Sequence, residues 1–84
     1  IFMRPKNAAL FLEKTAESFG KLDMPQEQIM ALNNAATQYI FMREKRAKSL
    51  LEKALKISRS CGKFGIAYIH NNIAIINIEN KEKS

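Results

Sequence analysis

The sequence predicts an all-α chain of four helices, and three observations carry that prediction. Apolar residues recur through most of the chain at the i, i+3, i+4 and i+7 spacing of one helix face. Three Gly and two Pro are all the strong breakers it contains, and the stretches between them keep that spacing. The chain also repeats: Leu32-Asn33-Asn34-Ala35-Ala36 returns 38 residues later as His70-Asn71-Asn72-Ile73-Ala74, and Phe11 to Thr15 returns 39 residues later as Leu50 to Ala54.

The first helix is expected over about Asn7 to Leu22, with Ala8, Phe11, Leu12, Thr15, Ala16, Phe19 and Leu22 on its apolar face. Asp23-Met24-Pro25-Gln26 then restarts the chain. Asp23 suits an N-cap, Pro25 fits a first turn, and Gln26 completes a capping-box pattern. The second helix, about Met24 to Met42, is apolar on nearly every side, as a helix sandwiched between neighbours should be. Arg43 to Lys45 must hold a tight turn. The third helix, about Lys45 to Cys61, places Ala47, Leu50, Leu51, Ala54, Ile57, Ser58 and Cys61 on one stripe, and Gly62 suits the C′ position that ends it. The fourth, about Phe64 to Glu79, is ambiguous alone, because Ile66, Ile69, Ile73, Ile75, Ile76 and Ile78 also suit a strand. Its equivalence to the second segment makes it a helix. Asn80 to Ser84 reads as the beginning of another turn.

Composition narrows the function. Fourteen Lys and Arg against eight Asp and Glu give a net charge of +6. Ten of the hydrophobic residues are Ala, so the isolated chain is expected to be marginally stable, with missing chain or a partner covering part of its apolar surface. No apolar run approaches the ~20 residues of a membrane span, and Ile1 to Pro5 has no leader's apolar core, which favours a cytoplasmic location. A lone Cys61 forms no internal disulfide, and with the lone His70 it makes no familiar zinc site. No cofactor or metal is expected.

A two-helix unit of this period resembles the tetratricopeptide repeat. Leu32, Ala35, Ala36 and Tyr39 look like the large-small-aromatic signature of that family's helix A. Ala47, Leu51 and Ala54 match the small-large-small signature of helix B, and Ala8, Leu12 and Thr15 repeat it one unit earlier. Ile73 and Ala74 fit helix A again, whereas His70 and Asn77 stand where a large apolar and an aromatic residue are usual. The resemblance covers almost the whole chain and is closest to the roughly 40-residue variant of kinesin light chains and bacterial regulators and sensors. It implies antiparallel hairpins in a right-handed solenoid with a concave inner wall, here in B-A-B-A phase. Repeat arrays need at least three units and polar caps. Neither end looks like a cap, so the segment is expected to belong to a longer array or to pair with another chain.

The same resemblance puts the second Asn of each pair on the concave wall. Asn34 and Asn72 would then form an amide ladder bonding the backbone of an extended peptide, with Asn33 and Asn71 beside them. The alternative is that these are interhelical or solvated amides. Met30, Thr37, Ile40 and Phe41, with Tyr68, Ile75 and Glu79, are the other wall positions implied. Ordinary core, or packing against a helix absent here, is the competing reading for Ile40, Phe41, Ile75 and Ile78. The wall lacks the basic pair that clamps a C-terminal carboxylate in some relatives.

The third helix is basic (Lys45, Arg46, Lys48, Lys53, Lys56, Arg59, then Lys63), but Glu17 with Lys21, Glu44 with Lys48 and Glu52 with Lys56 are helix pairs in the favourable order. No aromatics interleave the basic residues, so nucleic acid is not the expected partner. His70 has no catalytic partner at helical spacing, Cys61 reads as inert packing, and Gly62-Lys63-Phe64-Gly65 reads as a turn rather than a phosphate cradle. The expectation is a non-catalytic module that binds a peptide or protein segment. The alternative is a spacer or dimerisation segment of a larger bacterial signalling or transcription regulator.

Overall fold

The structure is a computed structural model and describes residues 4–83. Four helices occupy them: α1 (Pro5–Lys21), α2 (Pro25–Phe41), α3 (Arg46–Ser60) and α4 (Ile66–Lys83), with no strand among the described residues. The leaderless reading of Ile1 to Met3, and Ser84, fall outside them. The Ile-rich segment is a helix, as its repeat partner required.

One turn geometry, used three times, sets this order. Met24 N–H donates to the Phe19 carbonyl (2.9 Å), Glu44 N–H to Tyr39 (2.9 Å) and Lys63 N–H to Ser58 (2.8 Å). Each is the six-to-one bond of a Schellman motif, and the residue before each donor takes the left-handed conformation: Asp23 at φ 55, Arg43 at φ 56, Gly62 at φ 62. Gly62 is the C′ residue the sequence indicated. Asp23 is not an N-cap: it closes α1, and the cap position of α2 is Met24, with no side-chain cap bond. The last carbonyls of α1 claim the turn before α2 begins.

Helix α2 lies between α1 and α3, and α4 packs on α3 and α2. The Cα atoms fill a slab of 40 × 34 × 16 Å, the thin dimension being that of two packed helices. Its core runs through Ala9, Ala16, Ile29, Ala35, Ala36, Tyr39, Ala47, Leu51, Ala54 and Ile69, each at most 1% exposed. On α3 the buried residues are Ala47, Leu50, Leu51, Ala54 and Ser58, as the stripe predicted. On α1 the expected stripe is rotated. Ala9 and Ala16 are buried, whereas Phe11 is 59% and Leu22 67% exposed. Close approach decides this. Small residues face α2, and a Cβ at Gly20 would lie 2.7 Å from Gln28 Nε2. Ala9 and Ala16 stand 38 residues before Ala47 and Ala54, so the buried faces of both halves share the asparagines' register. Helix α4 also outruns its expected end at Glu79, since Asn80 to Lys83 holds no Gly or Pro to stop it.

Candidate functional site

The asparagine pairs divide by burial. Asn33 and Asn72 are both 7% exposed, and Asn34 and Asn71 are exposed. Asn72 Nδ2 of α4 donates to Asn33 Oδ1 of α2 (2.9 Å) and to Thr37 Oγ1 (3.2 Å), and that hydroxyl donates to the Asn33 carbonyl (3.0 Å). A buried amide left unpaired is costly, so this network fixes how α4 sits on α2. The Asn72 amide therefore faces α2 rather than standing beside Asn34 in an open ladder.

Two grooves flank the network. One, of about 300 Å³, lies between α2 and α4 and is lined by Thr37, Ile40, Phe41, Arg43, Asn72, Ile75 and Glu79. It brings together most of the expected wall. Phe41 is 77% exposed and Ile75 37%, an apolar lip with Arg43 and Glu79 of opposite charge at the same end. The other, of about 350 Å³, lies between α1 and α2 and holds Met30 and Asn34 with Leu12, Thr15, Phe19 and Phe64. Tyr68, 64% exposed on α4, lines neither groove, and Asn71 and Ile78 are likewise exposed on α4. His70 is exposed and Cys61 half-buried. Among the described residues no group of three or more His, Cys, Asp or Glu is placed to hold a metal ion.

A charged cluster was not foreseen. Tyr39 Oη of α2 donates to Glu13 Oε2 of α1 (2.5 Å), and Arg46 of α3 pairs with the same carboxylate, its Nε lying 2.9 Å from Oε1 and 3.0 Å from Oε2. The Arg46 Nη2 contact to Oε1 completes a bidentate pair. One carboxylate thus ties three helices. The Arg46 bond holds the Glu13 carboxyl below the usual range against its partial burial, aided by Tyr39. Burial, and then Glu13, push the Tyr39 phenol up, and Glu13 raises Arg46. The available signal was Glu13 itself, a charge set between Ala9 and Ala16 on the face that α1 buries. Glu17 and Lys21 also pair, at 3.6 Å, on the exposed side of α1.

No helix among the described residues is long and apolar enough to cross a membrane. No family model, curated protein or solved structure matches the chain.

Proposed function

We propose that the chain is a non-catalytic, tetratricopeptide-like module, its helices in B-A-B-A phase, that binds an extended peptide or partner segment along the face shared by α2 and α4. The observation that carries this reading is the groove between those helices, where Phe41 and Ile75 stand in solvent beside polar Thr37 and the Arg43–Glu79 rim. Exposed large apolar side chains in a concavity are what a partner's side chains desolvate. Phe41 and Ile75 take the apolar side chains, and where the segment runs on past Thr37 into the α1/α2 groove, the exposed amide of Asn34, one helical turn away, bonds its backbone. Asn72 orients α4 and leaves the peptide to its neighbours. The internal repeat and the small-residue contacts at Ala9, Ala35, Ala36, Ala47 and Ala54 support the hairpin geometry this requires.

The test is peptide selection on the immobilised chain followed by calorimetry. Selected peptides should lose at least about tenfold in affinity against Phe41→Ala and several-fold against Asn34→Ala, with helicity unchanged in both. Affinity indifferent to both substitutions would overturn the assignment of the groove.

A further inference from the structure

The internal repeat reveals a second surface, and it needs no ligand in the α2/α4 groove. Moved back by 38 residues, α3 and α4 become α1 and α2. On α3 and α4 the corresponding seat is filled by α2: Ile69 is fully buried, Leu50 is 6% exposed, and Asn72 donates to Asn33. A Cβ on Gly65 would come within 3.2 Å of the Ile29 side chain, so α2 lies close over the start of α4. On α1 and α2 the same seat is the 350 Å³ groove, and Asn34, the counterpart of Asn72, is exposed there. Among the described residues no helix fills it.

The helix face that fits is also present. Asn33, Thr37 and Ile40 on α2 face α4, and their counterparts on α4 are Asn71, Ile75 and Ile78. Asn71 is exposed, Ile75 is 37% and Ile78 57% exposed. Groove and face are therefore the two halves of the interface already formed between α2 and α4, each left open.

We propose that a second copy of this chain docks head to tail, its α4 lying in the α1/α2 groove and its Asn71 accepting from Asn34 as Asn33 accepts from Asn72. The occupant is a copy because its α4 carries Asn71 and Ile78 in the register that Asn33 and Ile40 use in the established α2/α4 contact, with the apolar Ile75 standing where Thr37 accepts a second bond from Asn72. Such a heterologous contact leaves a groove at one end and a face at the other, so it continues into an open array rather than closing into a dimer. The +6 charge of each copy opposes the contact, so association should strengthen as salt rises.

Sedimentation of the full chain tests this with two variants at exposed positions, Asn34→Lys blocking the groove and Ile78→Lys blocking the face. In about 0.5 M salt, which cuts the screening length to roughly half its value at about 0.1 M, the wild-type mass should climb with concentration without a plateau. Each variant alone should stay at the 9.6 kDa of one chain, with wild-type helicity by circular dichroism. Their equimolar mixture should form a dimer and stop there, since each supplies the half the other lacks. A wild-type chain monomeric up to about 1 mM overturns the proposal and leaves the groove to another occupant, a further helix of a longer polypeptide or a different protein. Association that persists in either single variant, or a mixture that does not dimerise, places the contact elsewhere and overturns it equally.

Discussion

Helices α2 and α4 are two copies of one pattern in different degrees of cover. In α2, Leu32, Ala35, Ala36 and Tyr39 are all at most 3% exposed, because α1 and α3 lie on either side. Their counterparts 38 residues on are His70, exposed, Ile73, half-buried, and Ala74 and Asn77, both exposed. Among the residues of α4 whose burial is described, only Ile69 and Asn72 are buried. The difference teaches that a repeat helix draws its stability from its neighbours rather than from its own sequence. Where a neighbour is lacking, the same pattern leaves its positions in solvent.

The sharpest way to break this comparison is to cut equivalent positions in both helices. Tyr39→Ala should cost about 3–5 kcal/mol, since it opens a cavity and strips a bond from Glu13. Asn77→Ala should stay within about 0.5 kcal/mol, as exposed substitutions do. Urea midpoints would measure both, and comparable losses would mean that α4 is as covered as α2. Next come the asparagines. Asn72→Ala leaves Asn33 unpaired in a buried place and should cost about 1–3 kcal/mol. Asn34→Ala should be neutral or gain up to about 0.7 kcal/mol from helix propensity. Equal effects would deny that repeat-equivalent amides have different surroundings.

A smaller effect comes from pH, because the Glu13 clamp ties α1, α2 and α3 and does not involve α4. The Glu13 carboxyl is held below its ordinary value when folded, so its contribution is present above the unfolded carboxyl's pKa and is lost as pH falls through the folded one. The Tyr39 phenol is pushed up, so its contribution is present below the unfolded phenol's pKa, about 10, and is lost as pH rises through the folded value. Glu13→Gln should flatten the acid side of a stability–pH curve measured in urea. An unchanged slope would remove the clamp from the account. The smallest effect concerns the turns. Arg43→Gly, at φ 56 after α2, should stabilise by about 0.5–1 kcal/mol, and Gly62→Ala, at φ 62 before α4, should destabilise by at least as much. A destabilised Arg43→Gly would show that its side chain matters more than its backbone.

Much of the fold was legible because it rests on spacing. The stripe on α3 and the glycine that ends it depend only on local periodicity, and the internal match resolved the Ile-rich α4. Other features depend on distance between elements. Ala8 with Phe11 and Ala9 with Ala16 are both plausible apolar lines on α1, and only the close approach of α2 selects the small pair. Asp23 is equally suited to begin a helix or to close one, and the Phe19 carbonyl decides. Adjacent asparagines lie about 100° apart around a helix, so the pair announces a role without telling which member turns inward. Glu13, Tyr39 and Arg46 come from three helices, and no local pattern joins them.

Native-state hydrogen exchange, read residue by residue, tests the contrast between α2 and α4 most directly. Amides from Asn33 to Tyr39 should exchange only through global unfolding, and those of α4 beyond Asn72 should open at a measurably lower free energy. Protection in α4 equal to that in the centre of α2 would contradict the account, since a helix so protected has no open face to offer.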